Sequence, residues 1–152
     1  MTYEEIISQQ GFLIYTNTGV SMMPLIHPRR DLLVIKPKPE GRLHRLDVPL
    51  FKRTNGEYVV HRVLKVRKDD YGMCGDHQTF IEYGITDSQI LGIVEALIRD
   101  GKTIPLRATP EHPNVSWKYK FYVHLWCDLF YIRAFILRVI FKLNRIFQKN
   151  KA

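Results

Sequence analysis

The strongest constraint on the fold is a series of short β-branched and aromatic runs, separated by turn residues, that extends from residue 12 to residue 106. Asn55-Gly56 lies between two such runs, at 48–53 and 58–66, and this setting is the strongest short-range signal of a β-hairpin. The 152 residues are 45% hydrophobic and 25% charged, which is enough for a domain with an ordinary core. The sequence therefore predicts a mainly β body built from short, mostly antiparallel strands.

Helices are predicted at both ends of this body. Thr2 and Glu5 fit a capping box and Gly11 fits a helix end, so a short helix should precede the first strand. No apolar stretch accompanies it, so the first ten residues do not resemble a signal peptide or a membrane anchor. Two prolines mark a linker, and no residue that would break a helix follows it before Lys149. The expected organisation is a β domain at 1–106, a linker at 107–114 and a basic amphipathic helix at 115–152.

The positive charge of the chain is concentrated in this C-terminal segment. Residues 1–114 carry a net charge of +1 and residues 115–152 a net charge of +7. At about 100° per residue, most of the charged side chains of the segment share one helical face. They are Lys120, His124, Asp128, Arg138, Lys142, Arg145 and Lys149. A basic face opposite an aromatic, apolar face is typical of helices that lie on anionic membrane surfaces.

Two other placements of this helix stay open. It could pack on the β body through the apolar side formed by Trp117, Phe121, Leu125, Leu129 and Ile132. It could also span a bilayer, since residues 121–141 hold 17 apolar side chains. Three charges among them, at roughly 2.5–3.5 kcal/mol each, make spanning marginal. Surface binding is the favoured prediction, and the first turns could dock on the body at the same time. The density of apolar side chains argues against nucleic acid as a partner.

Several kinds of site are disfavoured by the composition. Cys74 and Cys127 are too few for a disulfide scaffold or a four-cysteine zinc site. Cys74 fits a small core residue better than a nucleophile. The histidines other than His61 lack the spacing of metal ligands, and no glycine-rich phosphate loop is present. We therefore expect neither a metal nor a cofactor.

Three short segments carry residues that could act together in catalysis. Ser21 lies on a turn between Gly19 and Pro24, where a serine can be exposed beside a base. His61 shares a strand face with valines, and Asp76 directly follows a glycine at the end of a strand-like run. Taken singly, each has a more ordinary explanation: a turn serine, a core histidine and an aspartate turn. Only their combination favours a nucleophile, a base and an acid.

Six elements of the chain follow one another as they do in a family of serine peptidases. They are Ser21-Met22-Met23-Pro24, Arg30-Asp31-Leu32-Leu33-Val34, the segment 41–48, Val60-His61-Arg62-Val63, Gly75-Asp76-His77 and Leu91-Gly92-Ile93-Val94. Together they resemble signal peptidase I, and most closely its endoplasmic-reticulum and archaeal branch, whose base is a histidine in place of a lysine. The chain is also similar to small Gram-positive proteins described as signal-peptidase-like or repressor-peptidase-like serine peptidases.

The resemblance implies a mainly β, signal-peptidase/LexA-like complex fold, with a short N-terminal helix and a long C-terminal amphipathic helix. It implies Ser21 as the nucleophile and His61 as the general base and then the general acid. Asp76 matches the family's Gly-Asp motif and is the favoured third member. Glu82 is the alternative, because the histidine branch has another acid a few residues later. The backbone N–H of Ser21 would bind the oxyanion, because Gly19 stands where some relatives have a serine hydroxyl.

The function expected from the resemblance is that of a serine endopeptidase, which cleaves an extended leader or signal-like peptide bound by strand addition. Gly19, Val20 and Met22, which flank the nucleophile, are the expected substrate contacts. The alternative is a catalytically silent module that binds peptides or membranes, and a repressor fragment is a weaker third. The expected partners are a peptide or protein substrate and an anionic membrane surface, without nucleic acid. The missing export signal and the unpaired cysteines favour the cytoplasmic face of the membrane.

Overall fold

Short strands dominate the architecture between one N-terminal and two C-terminal helices. The computed structural model describes the backbone of residues 1–149 and the side chains of residues 1–146. The helices are α1 (Tyr3–Gln10), α2 (Trp117–Asp128) and α3 (Phe130–Lys149). The strands are β1 (Leu13–Thr16), β2 (Leu32–Pro37), β3 (Pro49–Lys52), β4 (Tyr58–Val60), β5 (Arg62–Val66), β6 (Tyr71–Cys74), β7 (Glu82–Ile85), β8 (Ile90–Arg99) and β9 (Lys102–Pro105). The prediction of a mainly β fold with helices at both ends is confirmed.

The strands form two antiparallel sheets. The larger, curled sheet has the order β1-β2-β8-β3-β4, with β9 paired to the far end of β8. The smaller sheet has the order β5-β6-β7. Strand β8 is ten residues long and buried along most of its length, as its apolar, β-branched sequence predicts. It joins the two halves of the larger sheet and leaves β4 as an edge strand.

The local signals at the N-terminal helix and at the hairpin are confirmed. The Thr2 and Glu5 side chains each bond to the other residue's backbone N–H, and Gly11 ends α1 in a left-handed conformation at φ 73°. Strands β3 and β4 pair across the turn that contains Asn55-Gly56. Both features depend on residues close together in the sequence, so the sequence alone specifies them.

The run at 58–66 was predicted to be one strand, and the structure divides it in two. Residues 58–60 belong to the larger sheet and residues 62–66 to the smaller one, with His61 between them. The chain changes sheets here because the backbone of Val63 bonds to Leu46 and Asp47, which precede β3, and does not continue the pairing with β3. The Val63 N–H donates to the Asp47 carbonyl, and the Val63 carbonyl accepts the Leu46 N–H, both at 2.8 Å. The break positions His61 at the junction of the two sheets.

The C-terminal segment was predicted to be one helix, and the structure breaks it at Leu129, between α2 and α3. Residues 150–152, the end of the predicted helix, lie outside the described residues. The packed face also differs from the prediction. Val123, Cys127, Phe130 and Ala134 are buried against Leu64 and Cys74 of the smaller sheet. The side chains that the alternative, packed placement would bury, Trp117, Phe121, Leu125, Leu129 and Ile132, are instead 42–70% exposed.

Candidate functional site

The turn that carries Ser21 is held by its own side chains and by the core. The Asn17 side chain makes two hydrogen bonds to the backbone of Gly19. Its NH₂ group donates to the Gly19 carbonyl at 2.8 Å, and its Oδ1 atom accepts the Gly19 N–H at 3.3 Å. The Met23 N–H then donates to the Val20 carbonyl at 3.1 Å. Ser21 is partly exposed at this turn, so its hydroxyl is accessible on a rigid support.

Ser21 and His61 meet although 40 residues separate them. The His61 Nε2 atom lies 3.2 Å from the Ser21 Oγ atom, which is within hydrogen-bond distance. Only 2% of the His61 side chain is exposed, and its ring packs edge-on against Phe51. The pair therefore has the arrangement of a nucleophile and its base.

A cleft of about 250 Å³ opens beside this pair. Its lining includes the segment 17–19, which follows β1, and the edge strand β4. The lining residues are Tyr15, Asn17, Thr18, Gly19, Ser21, Arg53, Glu57, Tyr58, Val59, Val60, His61 and Gln78. A cleft bordered by an edge strand can accept an extended chain.

The environment of His61 keeps its imidazole neutral. Burial, followed by the positive charge of Arg53, lowers the pKa of His61 from its ordinary 6.5 to about 4. The carboxylates of Glu82 and Asp76 oppose this shift without cancelling it. A neutral imidazole has an unprotonated nitrogen at neutral pH, which is the state that a general base requires.

Glu82 is the carboxylate near the other ring nitrogen of His61. Its Oε2 atom lies 3.9 Å from Nδ1, and Nδ1 is buried without a hydrogen-bond partner among the described residues. Arg53 holds Glu82 in this place through two bonds of 2.7 and 2.6 Å. Because Nε2 faces Ser21, the ring proton would be on Nδ1 and would point toward Glu82.

Asp76, the favoured third member in the sequence analysis, has a different partner. Both of its carboxylate oxygens accept from Arg62, at 2.9 Å each, and the two side chains are 2% and 1% exposed. Arg62 also donates to the Leu46 carbonyl at 3.0 Å. No bond joins the Asp76 carboxylate to His61 among the described residues. A buried arginine requires a compensating carboxylate, so Asp76 pairs with Arg62, while Glu82, itself held by Arg53, is the carboxylate that lies near Nδ1.

The loop after β6 contacts the turn that carries Ser21. The His77 N–H donates to the Ser21 carbonyl at 2.7 Å. A Cβ atom on Gly75 would lie 2.5 Å from the same oxygen, so only glycine fits at this position. The C-terminal helices hold the loop in turn. Trp126 and Arg133 donate to the Asp76 carbonyl, at 2.7 and 2.6 Å.

The expected substrate contacts divide into three cases. Gly19 lines the cleft. Val20 is 61% exposed but lies outside the cleft lining. The expectation that Met22 contacts the substrate is corrected. Met22 has 0% exposure and belongs to the main hydrophobic core, so it anchors the turn and cannot contact a substrate.

Several polar residues of the cleft, among them Arg53 and Gln78, were not predicted from the sequence. Arg53 directly precedes the hairpin turn, and Gln78 follows the Gly-Asp-His segment, but neither position carries a recognisable motif.

Both cysteines are buried, and burial raises the pKa of Cys74 to about 12, which removes the thiolate needed for attack. Within residues 1–149, no three His, Cys, Asp or Glu side chains converge closely enough to hold a metal ion.

Comparison of the chain with protein-family models, with curated proteins and with solved structures gives no match.

Proposed function

We propose that this protein is a serine endopeptidase of the signal-peptidase-like type, which hydrolyses a peptide bond in an extended leader or signal-like segment. The observation that carries the proposal is the 3.2 Å approach of Ser21 Oγ to His61 Nε2 at the wall of a cleft. The mainly β architecture and the six motifs of the resemblance support it, since the motifs that bear Ser21 and His61 supply this pair.

The proposed reaction proceeds in two halves. His61 Nε2 accepts the proton of Ser21 as Oγ attacks the peptide carbonyl carbon, and it then donates that proton to the departing amine as the C–N bond breaks. Water attacks the resulting ester, and His61 takes its proton and returns it to Oγ as the new carboxylic acid leaves. The negative charge of Glu82, whose Oε2 atom lies 3.9 Å from Nδ1, stabilises the imidazolium that forms in each half.

The edge strand β4 is the proposed docking site for the substrate backbone. Its one sheet neighbour is β3, and its three residues line the cleft that also contains Ser21. An extended peptide can therefore add to this edge through main-chain hydrogen bonds. A peptide bond in such a strand would run past the Ser21 hydroxyl.

Reaction with a fluorophosphonate, which phosphonylates activated serines, tests the proposal against the alternative of a catalytically silent module. We expect one adduct in the intact mass, located on Ser21, and none in Ser21→Ala. His61→Gln should slow labelling by about 10³-fold or more, because the base is lost. A folded wild-type protein that takes up no label would favour the silent module.

The acid limb of the pH profile is predicted from the environment of His61. Since its pKa is lowered to about 4, kcat/KM should stay level from about pH 8 to about pH 5.5 and fall below that with an apparent pKa near 4. The rate constant for fluorophosphonate labelling gives the same profile if no efficient peptide is yet in hand. If kcat/KM instead falls with an apparent pKa near the ordinary histidine value, the imidazole is solvated.

We also propose that the exposed face of α2 and α3 binds an anionic membrane surface, at the cytoplasmic side. A long series of large apolar side chains on these helices is 42–70% exposed, far more than an isolated surface residue. Members of this series are Trp117, Phe121, Leu125, Leu129, Tyr131, Ile132, Phe135, Ile136, Val139, Ile140, Phe141, Leu143 and Ile146. Exposed cations accompany it at Lys118, Lys120, Lys142 and Arg145, which matches the charge of such lipids.

Among the described residues, none of the helices combines the length and the apolar character needed to cross a bilayer.

Substitution of three exposed apolar residues tests the membrane proposal. The variant Ile132→Gln, Phe135→Gln, Val139→Gln should lose at least about tenfold in sedimentation with phosphatidylserine-containing vesicles, with an unchanged melting temperature. A matched control places glutamine at Phe12, Ile14 and Val66, which are 40–46% exposed on the β body. Binding by wild type should also weaken with salt. Equal sedimentation of the two variants would overturn the proposal.

A further inference from the structure

Gln78 occupies the cleft beside Ser21 and His61 and has no part in the reaction as described so far. It closes a tight turn with Gly75. The Gln78 N–H donates to the Gly75 carbonyl at 2.9 Å, and the Gly75 N–H donates to the Gln78 side-chain oxygen Oε1 at 3.0 Å. The backbone and the side chain of Gln78 are therefore both fixed by the same glycine.

This second bond determines which end of the amide is free. The Gly75 N–H can only donate, so it must face the amide oxygen, and the Nε2 group with its two hydrogens points away from it. Among the side chains that the structure describes, no acceptor is bonded to Nε2. Gln78 is partly exposed in the cleft, so this donor is available to a bound molecule.

The Gly75–Gln78 turn is in direct contact with the nucleophile. A Cβ atom built on Gly75 would lie 2.9 Å from the Ser21 Cβ atom. The turn also sends the His77 N–H to the Ser21 carbonyl at 2.7 Å. These contacts hold the turn that carries Gln78 against Ser21, and both residues line the same cleft, so the amide is part of a rigid frame, which is the condition for preorganised stabilisation of charge.

The reaction requires such a donor. Attack by Ser21 Oγ moves a pair of electrons onto the substrate carbonyl oxygen, and that oxyanion must be held by at least one donor besides the Ser21 N–H for efficient catalysis. Gly19 lines the same cleft but has no side chain to donate. Gln78 lines the cleft, carries a neutral donor and belongs to the turn that contacts Ser21, whereas the Asn17 amide already donates to the Gly19 carbonyl.

We propose that Gln78 is a catalytic residue whose Nε2 group donates a hydrogen bond to the oxyanion formed on the substrate carbonyl. The inference rests on the proposed peptidase function. It adds one N–H···O⁻ bond in the tetrahedral intermediate and transfers no proton, so the amide is unchanged when the carbonyl re-forms.

Gln78→Glu is the sharpest test, because a carboxylate oxygen can keep the bond from the Gly75 N–H while the donor becomes a negatively charged acceptor. With a fluorophosphonate as the probe, we expect the limiting rate of Ser21 labelling to fall by about 10²–10³-fold. The half-saturating probe concentration and the melting temperature should stay within about twofold of wild type. Gln78→Met removes the donor without adding a charge, and it serves as the second variant if Gln78→Glu folds poorly.

Phe80→Glu is the matched control for charge, since it adds the same carboxylate two residues away on a side chain that is 55% exposed and outside the cleft lining. We expect it to label within about threefold of wild type. If wild type labels but Gln78→Glu and Gln78→Met both stay within about threefold of it, the role of Gln78 is overturned and the peptidase proposal stands. If wild type itself does not label, the peptidase proposal fails first.

Discussion

Replacement of Asp76 with asparagine should lower the free energy of unfolding by about 3–5 kcal/mol, because it leaves the buried Arg62 guanidinium without a counter-charge. Both side chains are almost fully inaccessible, and two bonds of 2.9 Å join them. The loss is comparable to the whole stability of a marginal domain. Urea denaturation followed by circular dichroism measures it.

Two companion variants separate this structural role from a catalytic one. The double variant Arg62→Met, Asp76→Leu replaces the ion pair with apolar side chains and should recover much of the lost stability. Glu82→Gln should instead remain folded and reduce turnover by about 10²-fold or more, because the imidazolium loses its carboxylate. Glu57→Gln is its control, since Glu57 also binds Arg53. An Asp76→Asn protein with wild-type stability and no activity would return Asp76 to the triad.

Removal of the chain after Asn114 is expected to abolish cooperative folding of the body. It deletes Val123 and Phe130, which are 3% and 5% exposed against the smaller sheet. At about 1.5–3 kcal/mol per buried side chain, these two contribute about 3–6 kcal/mol, a large part of the roughly 5–15 kcal/mol by which a domain is stable. The truncation also deletes Trp126 and Arg133, which hold the loop after β6.

A smaller deletion, which ends the chain after Leu137, keeps the buried side chains of α2 and of the first turns of α3. We expect this chain to melt cooperatively, while it loses the distal apolar residues and much of the binding to vesicles. Differential scanning calorimetry of both truncated chains distinguishes the packed part of the helices from the exposed part. A 1–114 chain that melts like the full-length protein would show that the helices are only an appendage.

The parts of the fold that the sequence predicted depend on short-range signals. A capping box, an Asn-Gly turn and a long β-branched run were enough to locate α1, the β3–β4 hairpin and β8. The break at His61 was not predictable, because bonds from residues 46 and 47 to Val63 create it. Strand β7, which presents Glu82, was also missed because its sequence, Glu-Tyr-Gly-Ile, has no continuous β pattern.

The candidate site shows the same limit. Ser21 and His61 were identified from their motifs, and the fold brings them together. The partner of Asp76 could not be inferred, because Arg62 is adjacent to His61 in sequence and alternation alone places it on the opposite strand face. The packed face of α2 was misassigned for a related reason. Apolar side chains lie on either side of the polar stripe of that helix, and only packing against the smaller sheet selects Val123 and Cys127 over Phe121 and Leu125.

Cleavage of a diverse peptide mixture at pH 7, in the presence of phosphatidylserine-containing vesicles and read by mass spectrometry, tests the central claim most directly. The account predicts new peptide ends in the wild-type reaction that are absent from the Ser21→Ala and His61→Gln reactions, with all three proteins folded. Identical product sets from wild type and Ser21→Ala, or no cleavage by a folded wild-type protein, would contradict it.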